Sequence, residues 1–263
     1  MSNDRWTRLS FREAPAEYVG PTQKVRIWTE GWVADQMFCP SCGERRIEQH
    51  KANNPAADFY CRKCGEEFEL KSQRARFGAR IVDGALATMT SRLAAGRAPN
   101  LLVLNYDKDR AEVRNLLVIP KQFFVSSIIE ARRPLSSTAR RAGWQGCNIL
   151  LSRVPDAGNV WLVQDGAMRD PQAALEDWRR TLFLREASPL ARGWLVEVLM
   201  CVEAITANEF ALADVYAFEA HLASLYPGND NVRPKIRQQL QVLRDRGLLE
   251  FLGSGQYRKR RLQ

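Results

Sequence analysis

The sequence has no long uninterrupted apolar run. Its first twenty residues lack the apolar stretch of a secretory signal peptide, and the most apolar helix candidate, residues 194–205, is interrupted by Glu197 and Glu203. We therefore expect a cytoplasmic, soluble protein without a membrane partner. Because disulfides are rare in that reducing compartment, closely paired cysteines favour a metal site.

Internal repeats and low-complexity tracts are also absent. Acidic residues are outnumbered, since 39 Lys and Arg face 30 Asp and Glu, which gives a formal net charge of +9. Such a charge favours a polyanionic partner over an acidic small molecule. A chain of 263 residues can bury a substantial core and still accommodate a second, smaller domain.

Four of the six cysteines form two Cys-x-x-Cys pairs within residues 39–64. The paired cysteines are Cys39 with Cys42 and Cys61 with Cys64. Their spacing predicts two zinc knuckles whose four thiolates coordinate one structural Zn²⁺ ion. The other two, Cys147 and Cys201, each stand alone in an apolar stretch, and we expect them to be buried.

Hydrophobic periodicity predicts alternating helices and strands before residue 185. The first twenty residues have no sustained period and predict a loose lead-in, whereas apolar residues recur at helical spacing from Thr22. The predicted strands cover residues 57–61, 67–72, 100–106, 113–119 and 160–164, and two further helices cover residues 81–95 and 170–184. The alternation indicates an α/β fold for a first domain of residues 1–184.

Residues suited to phosphodiester cleavage flank the second cysteine pair. Asp58 precedes this pair, and Glu69 and Lys71 follow it on one face of a predicted strand. Two carboxylates can hold Mg²⁺, which activates water and shields the charge that builds on phosphate oxygens, while Lys71 would neutralise that charge beside the scissile phosphate. An acid-x-lysine pattern also occurs on solvated strands, so its position beside the cysteine pairs carries the nuclease interpretation.

The last part of the chain divides by charge. Residues 188–230 contain one basic and six acidic residues, whereas residues 231–263 contain nine basic and two acidic residues. The basic part predicts a helix over 231–246 and then a hairpin around Gly253-Ser254-Gly255. Because helices are predicted before it at residues 194–205 and 212–225, the pattern indicates a winged helix-turn-helix domain of residues 188–263.

The recognition helix of such a domain enters a DNA groove, and its wing contacts phosphates. The residues predicted to contact DNA are Lys235, Arg237, Gln238 and Gln241 on the helix and Arg258 and Lys259 on the wing. The alternative is a small helical interaction domain with a solvated basic face.

Several segments resemble the DpnI-type restriction endonucleases. They are NNPAADFYCRKCGEEFELKS at 53–72, IVDGALATM at 81–89, TARRAGWQGCNI at 138–149, LVQDG at 162–166 and KIRQQLQVLRD at 235–245. The resemblance runs from about residue 21 to the end. It implies cleavage at adenine-methylated GATC sites by a PD-(D/E)xK nuclease domain that contains a four-cysteine zinc site. It also implies a C-terminal winged-helix domain, with both domains reading methylated DNA.

The resemblance assigns the family's catalytic roles to Asp58, Glu69 and Lys71, with the two carboxylates as Mg²⁺ ligands. Its zinc ligands fall on the four paired cysteines without departure. The family motif has its proline directly before the aspartate, whereas here Pro55 precedes Asp58 by three residues.

A basic loop at 132–147 carries a second set of candidate DNA contacts. The resemblance suggests that Arg140, Arg141 and Trp144 in this loop face the modified base. An indole offers a large apolar surface for a methyl group, and arginines bind phosphates. The alternative is that Trp144 packs in the core and the arginines are solvated.

Two classes of function follow. The first is a type II endonuclease that acts, as a monomer, on double-stranded DNA methylated on adenine. The second is a zinc-containing winged-helix DNA-binding regulator without catalysis. Cutting of methylated plasmid by purified protein with Mg²⁺ separates the two.

Overall fold

The structure is a computed structural model that describes residues 6–13, 20–51 and 57–260. Pro55 of the predicted motif lies outside the described residues. In the described ranges, every helix is too short or too polar to cross a lipid bilayer. The chain forms two compact units, and each draws on several stretches of sequence.

The described ranges contain eight α-helices and thirteen β-strands. The helices are α1 (Pro21–Gln36), α2 (Leu86–Ala94), α3 (Pro171–Thr181), α4 (Phe183–Glu186), α5 (Pro189–Ala204), α6 (Leu212–Tyr216), α7 (Glu219–Leu225) and α8 (Val232–Asp245). The strands are β1 (Glu48–Gln49), β2 (Phe59–Tyr60), β3 (Glu67–Gln73), β4 (Ile81–Ala85), β5 (Asn100–Asp107), β6 (Glu112–Ile119), β7 (Ile129–Ala131), β8 (Gly146–Ile149), β9 (Val160–Gln164), β10 (Ala167–Met168), β11 (Glu209–Ala211), β12 (Leu249–Gly253) and β13 (Gln256–Lys259). This mixed α/β composition agrees with the predicted fold class.

The first unit comprises Met1–Ile81, Arg97–Lys121 and Gly158–Arg179. It holds a seven-stranded sheet in the order β1-β2-β3-β5-β6-β9-β10, in which β3 and β5 are parallel and the other neighbours are antiparallel. Strand β5 is buried over almost its whole length, as its apolar run predicts. The predicted strands at 100–106 and 113–119 are therefore confirmed.

Helix α1 packs against β3 in this unit. Thr29, at 1% exposure, contributes its hydroxyl to a contact of 3.4 Å with the Ser72 hydroxyl of β3. The same hydroxyl donates to the backbone carbonyls of Val25 and Arg26, one turn earlier in α1. The buried hydroxyl of Thr29 is therefore also hydrogen-bonded within its own helix. The position of α1 relative to β3 is thereby fixed at this point.

The predicted loose lead-in is wrong for residues 6–13. Trp6 is buried, and its indole Nε1–H donates to the carbonyl of Arg169 at 3.0 Å. Its ring also meets Trp32 of α1 edge to face, with ring centroids 5.9 Å apart. Backbone hydrogen bonds from Phe11 to Ala111 and from Val113 to Leu9 hold the same segment. These contacts with distant residues leave no periodic pattern in the sequence, so a search for periodicity does not detect them.

The second unit comprises Val82–Gly96, Gln122–Ala157 and Arg180–Gln263. It contains two three-stranded sheets, in the orders β4-β8-β7 and β11-β13-β12. The helix predicted over 81–95 is wrong in its first part, because Ile81–Ala85 forms β4 and the helix begins only at Leu86. Two β-branched residues and a glycine in IVDGA weaken a helix, and β8 supplies a strand neighbour.

Contacts inside the second unit cross the predicted domain boundary near residue 184. Glu197 of α5 is 1% exposed and accepts hydrogen bonds from the Arg153 guanidinium, at 2.8 Å, and from the Ser127 hydroxyl. A buried carboxylate requires such partners. The division into domains 1–184 and 188–263 stays a prediction, but a cut at that boundary would leave Glu197 without these two partners.

The C-terminal elements follow the predicted order with two differences. The helix predicted over 212–225 is two short helices, α6 and α7, and β11 pairs with β13 as a third strand that was not predicted. Helix α8 and the β12–β13 hairpin occupy the positions predicted for the recognition helix and the wing. Gly253 and Gly255 in the turn have φ angles of 95° and 75°, a conformation that glycine adopts without strain.

Candidate active site and metal centre

The four paired cysteines meet in the first unit. Their sulfur atoms lie within 4.8 Å of one another, and the Cys39–Cys64 and Cys42–Cys61 sulfurs are each 3.6 Å apart. Tetrahedral coordination with Zn–S bonds of about 2.3 Å separates the sulfurs by about 3.8 Å. Both the chemistry and the size of the cluster therefore fit Zn²⁺.

The two cysteine pairs adopt the same backbone turn. The N–H of Gly43 donates to the Cys39 carbonyl at 2.9 Å, and the N–H of Gly65 donates to the Cys61 carbonyl at the same distance. The two glycines have φ angles of 73° and 72°. Each Cys-x-x-Cys-Gly turn thus depends on a glycine in the left-handed region, which a side chain would strain.

The cysteine cluster joins separate elements. The first pair follows α1, and the second lies in the turn between β2 and β3. Burial raises the pKa of the Cys42 thiol to about 11 and raises that of the Cys39 thiol further. Metal binding must displace these protons, so the affinity for Zn²⁺ should fall as the pH falls.

The three predicted catalytic residues line one cleft of about 690 Å³ in the first unit. Asp58 directly precedes β2, and its Oδ2 accepts the Leu70 N–H at 2.7 Å. Glu69 and Lys71 share a face of β3, where Lys71 Nζ lies 2.6 Å from Glu69 Oε1. The structure therefore brings together the residues that the sequence pattern had connected.

The arrangement is suited to a divalent cation and a phosphate. Carboxylate oxygens are the hard ligands that Mg²⁺ prefers. The Leu70 N–H orients the Asp58 carboxylate through Oδ2, and within the described residues no hydrogen bond to its Oδ1 is found. Asp58 and Glu69 can hold the cation, and the Lys71 ammonium lies beside them to meet negative charge.

Sequence reasoning missed the other walls of the cleft. Helix α1 contributes one face, and the end of β3 and the β5–β6 turn contribute more side chains. The lining residues that were not predicted include Thr22, Arg26, Thr29, Glu30, Arg74 and Lys108. The only available signal was helical spacing, because residues 22, 26, 29 and 30 share a face of α1. Nothing in that spacing connects the face with Asp58 or Glu69.

The candidate methyl-reading loop lies between β7 and β8 in the second unit. Arg140 and Arg141 are exposed, whereas Trp144 is half-buried, with the Arg141 guanidinium 5.0 Å from its ring centroid. A Cβ on Gly146 would come within 2.9 Å of the Trp144 ring, so this glycine gives the indole its space. Trp144 is thus neither fully buried nor fully exposed, and its contact with DNA stays a prediction.

Helix α8 presents most of its predicted DNA contacts to solvent. Arg237, Gln238 and Gln241 are exposed, and the partly exposed Lys235 donates to Gln238 Oε1 at 2.8 Å. The opposite face of α8 is buried and apolar. Its buried apolar residues are Val232, Ile236, Leu240 and Leu243. The polar face is therefore available to a nucleic acid.

The two predicted wing residues are bound within the unit instead. Arg258 forms ion pairs with Glu209 at 2.8 Å and Glu250 at 3.3 Å. The Lys259 ammonium donates to the backbone carbonyl of Ile205, and burial lowers its pKa. Contact of either residue with phosphate stays a prediction, and it would require them to exchange these partners.

Two protein-family models match the chain. The model described as DpnI, Dam-replacing family, matches residues 9–187. The model described as the Dam-replacing HTH domain matches residues 190–259. The first match contains the cysteine cluster and the cleft residues, and the second contains α8 and the hairpin that follows it.

The purified protein should contain one zinc ion per chain, and Cys61→Ser should abolish its binding. Because three thiolates cannot close the tetrahedral site, we expect the β2–β3 hairpin to lose protection in hydrogen exchange. Zinc content is measured by elemental mass spectrometry, and the metal should be released progressively as the pH is lowered.

Cys201→Ala is the matched control, because Cys201 is also buried but lies outside the cluster. It should keep the full zinc content. A folded parent protein without zinc, or a Cys61→Ser protein that keeps it, would contradict the assignment of this centre.

Proposed function

The chain belongs to the DpnI, or Dam-replacing, family, and from that premise we propose that it is a methylation-dependent restriction endonuclease. In this proposal it cleaves both strands of DNA at adenine-methylated GATC sites and requires Mg²⁺. The observation that carries the proposal is the single cleft lined by Asp58, Glu69 and Lys71.

The geometry of the β2–β3 hairpin supports a PD-(D/E)xK active site. Asp58 and Glu69 come from neighbouring strand segments, and their carboxylates would hold Mg²⁺. The bound ion would supply an activated water molecule and would shield charge on the phosphate oxygens. Asp58 is prepared for this role because the Leu70 N–H fixes one of its oxygens.

Lys71 would act on the scissile phosphate. Its ammonium lies 2.6 Å from Glu69 Oε1, and it reaches the cleft from the same strand face. When a phosphate enters, Lys71 would turn from the carboxylate toward a phosphate oxygen and neutralise the charge that develops during cleavage. Its pairing with Glu69 keeps the ammonium in place until then.

Double-stranded DNA methylated on adenine is the proposed partner. The HTH match and the exposed polar face of α8 support insertion of this helix into the major groove. The N6 position of adenine is presented in that groove, so a methyl group there is accessible to an apolar contact. We propose that Trp144 supplies such a contact and that Arg140 and Arg141 bind neighbouring phosphates. In this proposal the protein acts as a monomer.

Replacement of Asp58, Glu69 or Lys71 by alanine should lower the cleavage rate by several orders of magnitude, roughly, while binding of methylated duplex persists. The loss is large because removal of a ligand affects both water activation and charge stabilisation. Cleavage of methylated plasmid with Mg²⁺ gives the rate, and a gel-shift titration gives the affinity.

Glu67→Ala is the matched control, since Glu67 lies on β3 two residues before Glu69 and outside the cleft lining. It should cut at close to the parent rate. Rapid cleavage by Glu69→Ala would contradict the active-site assignment. A parent protein that binds methylated DNA but never cuts it would favour the DNA-binding regulator.

Trp144→Ala in the full chain should reduce the preference for methylated over unmethylated duplex. One methyl group in an apolar contact of the proposed kind corresponds to about 1–3 kcal/mol of discrimination. Trp144→Phe should keep part of it, because the smaller ring remains apolar. The measurement is the ratio of dissociation constants for the two duplexes at a fixed salt concentration.

Trp161→Ala provides the comparison, because Trp161 is also half-buried but stacks on Phe77 in the first unit. The ratio of dissociation constants for the two duplexes should be the same for the Trp161→Ala protein as for the parent protein. If Trp144→Ala leaves the ratio unchanged as well, its indole is a packing residue and discrimination belongs to other residues.

A further inference from the structure

We propose that Arg26 of α1, oriented by Glu30, binds a phosphate of the DNA strand that enters the catalytic cleft. The inference rests on the proposed nuclease function and assigns the α1 side of the cleft to substrate binding. Glu30 is a positioning residue in this proposal, because it acts through Arg26 and not on the DNA.

Helix α1 places these side chains next to the proposed catalytic residues. Arg26 and Glu30 line the same cleft as Asp58, Glu69 and Lys71. The part-buried contact between α1 and β3, made by the Thr29 and Ser72 hydroxyls, lies one residue before Glu30. The α1 wall is therefore held at a fixed position relative to the strand that carries Lys71.

Glu30 is held from two sides. Its Oε1 accepts the Arg26 Nε–H at 2.5 Å, and its Oε2 accepts from Gln49 Nε2 at 2.7 Å. The Glu30 side chain is 18% exposed, whereas the Arg26 side chain is 59% exposed. The carboxylate is thus confined, and the guanidinium it orients extends into solvent.

The Arg26 guanidinium retains its phosphate-binding groups. The bond to Glu30 uses only Nε, and no partner for the two terminal nitrogens occurs among the described residues. These nitrogens can donate a pair of parallel hydrogen bonds to a phosphate. A guanidinium already oriented through Nε loses less conformational freedom when it binds.

Charge couples Arg26 to the cleft. The hydrogen bond and the charge of Glu30 raise the pKa of Arg26, and the charge of Asp58 adds to the effect. The field of the proposed catalytic carboxylate thus reaches the guanidinium. Glu30 is less suited to ligate a metal itself, because both of its oxygens already accept hydrogen bonds from side chains.

The test compares Arg26→Gln with Arg12→Gln in the full-length protein. Arg12 is matched because its Nε also pairs with a carboxylate, Asp35, at 2.8 Å, and its side chain is 69% exposed. It lies outside the cleft lining. The readouts are single-turnover cleavage of a methylated duplex with Mg²⁺ and the salt dependence of binding to that duplex.

Arg26→Gln should slow cleavage at subsaturating enzyme by about tenfold or more, and it should reduce the slope of log K against log salt by about one. The Arg12→Gln protein should cleave at a rate within about twofold of that of the parent protein, with an unchanged salt slope. Arg26→Lys keeps the charge but loses the planar fork, so its cleavage rate should lie between those of the Arg26→Gln and Arg12→Gln proteins. Such partial rescue by a second charged residue shows that the Arg26→Gln defect is not misfolding. Equal behaviour of the Arg26→Gln and Arg12→Gln proteins would overturn the proposal.

Glu30→Ala distinguishes positioning from metal binding. It should weaken DNA binding by about as much as Arg26→Gln does. The double variant should bind DNA little more weakly than either single variant, because both changes disrupt the same interaction with phosphate. A Glu30→Ala protein that needs more Mg²⁺ but binds DNA normally would make Glu30 a metal ligand and overturn its positioning role. A parent protein that neither binds nor cuts methylated DNA would refute the proposed function itself.

Discussion

The β2–β3 hairpin sets the positions of both carboxylates in the cleft. Phe59 pairs with Phe68 and Tyr60 with Glu67, so the register continues to Asp58 beside Glu69. Only two residue pairs form this ladder, and so short a hairpin is marginal by itself. Closure of its turn by the second cysteine pair, joined through the cluster to the end of α1, supplies the missing constraint. The cysteine cluster and the proposed catalytic residues are therefore interdependent in this segment.

Buried polar contacts carry this constraint into the central sheet. Glu66 directly follows the second knuckle turn, and its Oε2 accepts from Asn100 Nδ2 of β5 at 2.8 Å. The Lys121 ammonium lies 3.3 Å from the same oxygen, and both Glu66 and Asn100 are buried. A carboxylate buried without such partners would be costly, so this network specifies how the knuckle meets β5. The parallel register of β3 on β5 then places Lys71 opposite Val103 in the most buried part of the sheet.

The sequence was sufficient for features that depend on nearby residues. Cysteine spacing predicted the cluster, and strand alternation placed Glu69 and Lys71 on one face of β3. Features that depend on distant partners were missed or misassigned. Ile81–Ala85 becomes a strand because β8, more than sixty residues later, is its neighbour. Arg26 and Glu30 join the cleft only because α1 packs on β3, at the contact between Thr29 and Ser72.

The cleft contains two ion pairs, each formed by one carboxylate and one cation. Glu69 pairs with Lys71, and Glu30 pairs with Arg26, so negative charge is balanced within the protein. In the proposed reaction Lys71 would be the more readily released of the two cations, since its carboxylate partner would also bind Mg²⁺. Arg26 would instead keep its partner, because it binds Glu30 through Nε and phosphate through its terminal nitrogens. The two cations would therefore act differently on DNA: Lys71 would change partners during the reaction, whereas Arg26 would hold the strand throughout.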